Sequence, residues 1–181
     1  KWKQIDYYEN SKKFSQNIKI VDSKKIKIDN SIIKRKIKIA FFSSDINQAH
    51  SVTYFLKPVL KNINKNKFEI YVISNSKRDE YKDQYKKYLN DWFNIRNLND
   101  LEALNFIREK KIDIIFDLMG FTSENRINLF KNRIAPIQIS WLGYCNTLGL
   151  NEMDYIFADE NLIFNDEEKY YTEKVIKLKN I

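Results

Sequence analysis

Two of the side chains that could accept a proton lie at or after the end of an apolar segment. His50, the only histidine, closes the stretch "SSDINQAH", which also contains Asp45, and Asp117 ends the stretch "IDIIFD". An imidazole or a carboxylate within reach of a hydroxyl group can act as a general base. Each also has a simpler interpretation, because a loop histidine is often a surface or capping residue and an aspartate at a strand end can cap the next helix.

All three glycines of the chain, Gly120, Gly143 and Gly149, lie within residues 117–150, together with the only cysteine, Cys145. Glycine permits a left-handed backbone and a close approach of other atoms to the main chain. This stretch is therefore either a tightly packed, turn-rich corner or a place where a ligand comes close to the backbone. Cys145 has no base near it in the sequence, so we interpret it as a passive thiol.

Segments of strand and helix pattern alternate along most of the chain. The strand-like segments are residues 36–42, 68–74, 92–95, 112–118, 136–142, 154–159 and 174–179. The helix-like segments are residues 50–63, 77–89, 99–111 and 123–133, and the third begins with Asn99 and Glu102 at the spacing of a capping box. This alternation predicts an α/β fold with a doubly wound, mainly parallel sheet, whose strand order the sequence leaves open.

A parallel sheet would bring the candidate residues to one edge. Open parallel sheets bind ligands outside the carboxyl ends of their strands. The segments that follow the first, fourth and fifth strand-like segments carry His50, Asp117 and the turn "WLGYCNTLG". We therefore expect these three groups at one edge of the sheet, which becomes the candidate ligand site.

The positive charge of the chain is concentrated at its start. Of a net charge of +8, residues 1–38 hold 12 Lys and Arg against 4 Asp and Glu, whereas residues 39–181 hold 20 of each. Lys is abundant along the whole chain, and the basic segment has no interleaved aromatic repeat. We therefore expect no nucleic-acid partner.

Several other classes of protein lack support in the sequence. No apolar run approaches the roughly 20 residues of a membrane span, and no apolar signal segment is visible near the start, so we expect no membrane association and a cytoplasmic location. One cysteine excludes an internal disulfide, and one cysteine with one histidine argues against a structural zinc site. The motifs GxGxxG and GxxxxGK[ST] are missing, which argues against dinucleotide and P-loop sites.

The chain divides into a polar start and one folded domain. Residues 1–35 are predicted to form a basic connector, in which residues 1–14 could form a short helix. Residues 36–181 are long enough for a single domain with its own core. Because the sequence begins with Lys1 rather than Met, we expect it to be a piece of a longer protein.

The ordered motifs of the domain resemble a known family. The segments "KIKIAFFSSDINQAHSVTYFLKPVL", "DLMGFTSENRINLFKNRIAPIQISWLGYCNTLGLNEMDYIFAD" and "YYTEKVIKL" are together similar to the SPINDLY/OGT-type O-linked N-acetylglucosamine transferases. The resemblance runs from about residue 36 to the end and is specific in the order and spacing of its motifs.

The resemblance implies a GT-B architecture, with two Rossmann-like lobes and a sugar nucleotide between them. It identifies this chain with the N-terminal catalytic lobe, preceded by TPR repeats and followed by a nucleotide-binding lobe. The implied reaction is the inverting transfer of N-acetylglucosamine from UDP-GlcNAc to a Ser or Thr hydroxyl of an acceptor protein. No cofactor and no metal ion are implied.

The resemblance also assigns roles to single residues. It implies catalytic roles for His50 and Asp117. It implies contacts with the donor sugar for Leu142, Gly143, Tyr144 and Thr147. Three further matching positions, Arg126, Arg133 and Gln138, are expected to be structural.

Departures from the family pattern weaken the implied activity, and those before His50 and at Cys145 and Asn146 favour an alternative function. The segment between Asp45 and His50 is one residue longer than usual, and Phe121 stands where His or Tyr is common. Cys145 and Asn146 replace a Pro-Gly pair, so Asn146 is expected to take any left-handed backbone in this turn. The alternative is a non-catalytic protein-binding module derived from such a transferase.

Overall fold

The computed structural model describes residues 3–22, 26, 34–46, 50–78 and 81–179. Within these residues one sheet is formed by β1 (Ile37–Ser43), β2 (Phe68–Ser74), β3 (Asp91–Asn94), β4 (Ile114–Asp117), β5 (Ile137–Ser140), β6 (Tyr155–Ala158) and β7 (Lys174–Lys177). The strand order is β3-β2-β1-β4-β5-β6-β7, and all neighbouring strands are parallel. The predicted doubly wound parallel α/β fold is confirmed.

Helices connect the strands. The α-helices of the described part of the chain are α1 (Gln4–Gln16), α2 (Ser51–Asn62), α3 (Lys82–Tyr85), α4 (Asp100–Glu109) and α5 (Ile127–Lys131). Short 3₁₀ helices cover Lys86–Tyr88 and Glu168–Tyr170. None of the helices in these described ranges is long and apolar enough to cross a membrane.

Apolar side chains cover both faces of the sheet, which explains why the strand segments are nearly continuous apolar runs. On one face, Phe42 of β1 packs edge-to-face on Phe130 of α5 at 5.3 Å, within a cluster that includes Leu104 of α4. On the other face, Phe41 of β1 belongs to a cluster with Leu56 of α2. All five side chains are buried, so each face is closed by helices.

The predicted capping box of α4 is present. The Asn99 side chain accepts a hydrogen bond from the Glu102 N–H at 3.0 Å, and the Glu102 carboxylate accepts one from the Asn99 N–H at 2.9 Å. These two bonds satisfy donors that the first turn leaves without helical partners. The sequence signal therefore places the start of α4 correctly.

The predicted helix over residues 77–89 is wrong in extent. The described residues there form only α3 and the 3₁₀ helix Lys86–Tyr88. Asn90 ends the segment because its N–H donates to the Ile70 carbonyl at 2.7 Å and its side chain accepts from the Ile70 N–H at 2.8 Å. This pairing with β2 sets the register of β3, so the chain has to leave the helix before it.

The predicted helix over residues 123–133 is also shorter than expected. Only α5 is helical, and left-handed residues stand on either side of it, Glu124 with φ 63° and Arg133 with φ 52°. A left-handed residue interrupts a right-handed helix. Glu and Arg rarely adopt a left-handed conformation, so the sequence does not predict it at these two positions.

The segment predicted as a connector contains ordered structure in its described residues. Helix α1 occupies Gln4–Gln16, and the Asn132 side chain accepts hydrogen bonds from the N–H groups of Val21 and Asp22 at 2.7 and 3.1 Å. Arg35 pairs with both oxygens of Asp113 at 2.7 and 2.8 Å. Residues 3–22 and 34–36 thus lie against the sheet domain, and the boundary at residue 35 stays a prediction.

Candidate active site at the carboxyl edge of the sheet

The strand order places a crevice between the loops that follow β1 and β4, at the carboxyl edge of the sheet. The strand order reverses between β1 and β4, which are neighbours with Phe42 opposite Asp117. In open α/β sheets, ligands bind outside the strand ends at such a switch point. The loops that leave β1 and β4 meet here, since the Met119 sulfur lies 3.3 Å from the Ser44 nitrogen and 3.4 Å from the Ser43 hydroxyl.

His50 lies at this edge as the N-cap of α2. Its Nδ1 accepts a hydrogen bond from the Val52 N–H at 3.3 Å, and its Nε2 lies 3.9 Å from a carboxylate oxygen of Asp45. The neutral ring therefore carries its proton on Nε2, facing the carboxylate. The side chain is 41% exposed, so it is accessible to a substrate.

Asp45 is the partner that the sequence did not identify as part of the site. Its carboxyl group is partly buried, and this burial raises its pKa, while the charge of His50 acts in the opposite direction. Its backbone is held on both sides, because the Asp45 N–H donates to the Ser43 hydroxyl at 2.9 Å and the Asp45 carbonyl accepts from the Thr53 hydroxyl at 3.3 Å. The closeness of Asp45 to His50 in "SSDINQAH" is the one feature of the sequence that could have indicated this pair. The expected extra residue of this loop falls on residues 47–49, which lie outside the described residues.

A cavity of about 350 Å³ opens beside Asp45. The loops after β1 and β2 line it, with Ser44, Asn75 and Lys77 among its residues, and Glu124 closes it from the loop after β4. Lys77 and Glu124 are paired at 3.2 Å across this wall. Most of the lining side chains are polar and Asp45 is one of them, so the cavity provides room at the edge next to the partner of His50.

Asp117 lies at the end of β4 with its carboxylate turned into the protein. One oxygen accepts from the Met119 N–H and the other from the Gly120 N–H, both at 3.0 Å, and the residue is 2% exposed. Burial raises its pKa to about 6, against the lowering effect of these two hydrogen bonds. Both oxygens are thus committed to shaping the loop that follows β4, in line with the simpler interpretation of this aspartate.

Leu142 forms a strained turn after β5. Its φ is 75°, and the Gly143 N–H donates to the Trp141 carbonyl at 2.9 Å, two residues back. This combination is a γ-turn of the rare, strained kind, and such strain is concentrated at functional sites. Asn146, expected to be the left-handed residue of this stretch, is not left-handed, so that expectation is wrong.

Close packing accounts for glycine at all three positions. A β-carbon on Gly143 would lie 1.8 Å from the Leu118 carbonyl oxygen, and one on Gly120 would lie 2.3 Å from the Tyr144 β-carbon. One on Gly149 would lie 2.4 Å from a backbone atom of Ser11 in α1. The glycines therefore let neighbouring chain segments meet, as the packed-corner interpretation proposed.

Tyr144 and Thr147 have different surroundings. Tyr144 is partly buried, packs edge-to-face on Phe121 at 5.5 Å, and has its pKa raised mainly by burial. Thr147 is 0% exposed, and its hydroxyl donates to the Glu173 carboxylate at 2.6 Å. The same carboxylate accepts from the Leu148 N–H at 2.7 Å. Glu173 therefore anchors this loop to the start of β7, a role that the sequence analysis did not identify.

Arg126, Arg133 and Gln138 are structural, as expected. Arg126 pairs with Asp100 at 2.6 Å, and Arg133 holds both oxygens of Asp154 at 2.9 Å. The fully buried Gln138 side chain bonds to the backbone of residues 130, 134 and 152. Each side chain connects loops on the face of the sheet that carries α5.

The structure thus brings most of the predicted site residues to one region. His50 and Asp45 follow β1, Asp117 ends the adjacent β4, and the turn at Leu142 and Gly143 lies against the loop after β4. Asp117 and Thr147 are the two predicted site residues whose side chains are buried. Among the described residues, no three His, Cys, Asp or Glu side chains are grouped so that they could hold a metal ion.

Comparison with known proteins shows the family of this chain. Residues 11–181 match glycosyl transferase family 41, so the chain belongs to that family. A mutant of the Thermobaculum terrenum O-GlcNAc transferase has the same fold, with a TM-score of 0.90 and 26% identity over 99% of this chain and 35% of that chain.

Plant relatives point to the same family. The chain is 31% identical over 150 residues to a probable UDP-N-acetylglucosamine–peptide N-acetylglucosaminyltransferase, SPINDLY, of Arabidopsis thaliana. It is 25% identical over 146 residues to another such protein of that plant, SEC. These matches cover 80% of this chain and 16% and 15% of the two relatives, so the chain spans about a sixth of their length.

Proposed function

We propose that this chain is the N-terminal catalytic lobe of an inverting transferase that moves N-acetylglucosamine from UDP-GlcNAc to Ser or Thr hydroxyls of proteins. Family membership supports sugar transfer, and the names of the relatives support this donor and a peptide acceptor. The observation that carries the proposal is the His50–Asp45 pair, exposed at the switch point of the sheet. TPR repeats before this lobe, a nucleotide-binding lobe after it and a cytoplasmic location belong to the same proposal.

The reaction requires one proton acceptor. The acceptor oxygen attacks the anomeric carbon, the bond from that carbon to the diphosphate oxygen breaks, and UDP leaves with the electron pair. The hydroxyl proton has to pass to a base within hydrogen-bond reach, directly or through water. We assign this role to His50 rather than Asp117, because His50 is exposed while both oxygens of Asp117 bind backbone N–H groups.

His50 has one nitrogen that can take the hydroxyl proton. In the neutral ring this is Nδ1, whose 3.3 Å contact with the Val52 N–H is long for a hydrogen bond and has to open for the proton to bind. The Asp45 carboxylate lies 3.9 Å from Nε2 and orients the ring. Asp117 contributes by fixing the loop after β4, on which the turn at Leu142 and Gly143 rests.

The donor sugar is proposed to lie beside the strained turn. Leu142, Gly143 and Tyr144 present the turn next to the crevice, and Thr147 supports it from inside through Glu173. Positive charge for the leaving diphosphate is proposed to come largely from the second lobe. Residues of this chain therefore orient the sugar and the acceptor, and the other lobe stabilises the leaving group.

The test separates capping from proton transfer at His50. In the complete protein, His50→Asn keeps an N-cap acceptor for α2, whereas His50→Ala removes it. If His50 accepts the proton, both variants lower kcat/KM for sugar transfer by about 10²- to 10⁴-fold. Full activity of His50→Asn would assign His50 to capping alone. Absence of transfer by the unaltered complete protein would leave the protein-binding alternative.

A further inference from the structure

Helix α1 lies directly on the loop that follows β5. Gly149 permits this contact, since a β-carbon there would lie 2.4 Å from the Ser11 carbonyl carbon and 2.5 Å from the Lys12 nitrogen. The Ser15 hydroxyl donates to the Gly149 carbonyl at 2.6 Å in a buried position. Ser11 and Ser15 are the buried residues of α1, so the helix is fixed by close backbone contact rather than by large apolar side chains.

A chain of aromatic rings extends from α1 to the turn. Phe14 packs edge-to-face on Phe121 at 5.4 Å, and Phe121 packs edge-to-face on Tyr144 at 5.5 Å. Edge-to-face contacts fix the relative orientation of rings. Tyr144 also lies against Gly120, which has no side chain to separate them. The position of Tyr144 therefore depends on where α1 places Phe14.

We propose that α1 is a positioning element for the turn at residues 141–144, and that Phe14 is a positioning residue that acts on Tyr144 through Phe121. This inference rests on the proposed function, in which Tyr144 lies beside the donor sugar. His or Tyr is common in the family pattern at the position of Phe121, whereas here the Phe121 ring joins α1 to Tyr144. The segment before the sheet domain is thereby part of the donor site rather than a passive connector.

Phe14 is a suitable residue for a test because it contributes little to the core. It is 51% exposed, so Phe14→Ala is expected to leave the domain folded. Leu101→Ala is the matched control, since Leu101 is 50% exposed on another helix, α4. Phe14→Tyr keeps the ring and is expected to restore the behaviour of the unaltered protein.

Two measurements on the complete protein test the proposal. Amide hydrogen exchange at residues 142–144 reports the rigidity of the turn without any substrate. The KM for UDP-GlcNAc reports donor binding, with the acceptor KM as an internal reference. For Phe14→Ala we expect about tenfold faster exchange and about tenfold higher donor KM. The kcat and the acceptor KM should change little, because the lost contact supports donor binding equally in the ground state and in the transition state.

Each other outcome has a defined meaning. Unchanged exchange at residues 142–144 in Phe14→Ala would overturn the proposal, whatever the activity. Faster exchange with an unchanged donor KM would overturn the link to the donor site. If exchange is faster but the unaltered protein transfers no sugar, the proposed function fails, and α1 is left as a support of the turn without a donor role.

Discussion

The main chain at Gly143 touches the carbonyl group of Leu118. A β-carbon at residue 143 would lie 1.8 Å from the Leu118 oxygen and 2.7 Å from its carbonyl carbon. The loops after β5 and β4 are thus in direct backbone contact, and neither atom belongs to a side chain that could move aside. This contact connects the strained turn to the loop that Asp117 shapes.

Gly143→Ala is therefore expected to be strongly destabilising. The two loops have to separate to admit a methyl group, and overpacking of this kind costs about 3 kcal/mol of unfolding free energy. The measurement is denaturant unfolding of the complete protein. Ser123→Ala, in the exposed part of the loop after β4, is the control and should change stability by less than about 0.5 kcal/mol. A Gly143→Ala variant as stable as this control would contradict the close contact.

Leu142 allows a test of backbone strain. Because its φ is 75°, we expect Leu142→Gly to be more stable than Leu142→Ala by about 1 kcal/mol, since glycine adopts this conformation without strain. Both variants lose the same leucine side chain, so the comparison isolates the backbone. At Asn105, exposed in the middle of α4, the order should be reversed, with Ala more stable than Gly by about 1 kcal/mol. The same order at both positions would show that Leu142 is not strained.

The strands were predictable because they are buried on both faces. Residues 36–42 and 112–118 each have five apolar residues among seven, a proportion typical of strands buried on both faces. The short α5 was not predictable in extent, because its limits depend on left-handed backbone at Glu124 and Arg133. Those conformations are imposed by tertiary contacts, such as the pairing of Arg133 with Asp154.

The candidate site was predictable in position but not in detail. Parallel strands bring His50 and Asp117 to one edge, and this needs only the strand assignment. Sequence cannot show that Asp117 turns inward to bind two backbone N–H groups, or that Asp45 faces His50. The contact of α1 with Gly149 joins residues far apart in the chain, and no local pattern records it.

The inward carboxyl group of Asp117 predicts a specific dependence of stability on pH. Burial raises its pKa to about 6 in the folded protein, against 3.8 as the ordinary value. Between these two pKa values the folded state binds a proton that the unfolded state does not. This proton stabilises the folded state, so the stabilisation is fully present below the unfolded pKa and is lost as the pH rises through the folded pKa. The loss amounts to roughly 3 kcal/mol, from about 1.4 kcal/mol per pKa unit. Asp117→Asn cannot titrate, so the unfolding free energy of the unaltered protein relative to this variant should fall by that amount between about pH 3 and pH 7. A constant offset between the two curves would show instead that folding does not raise the pKa of this carboxyl group.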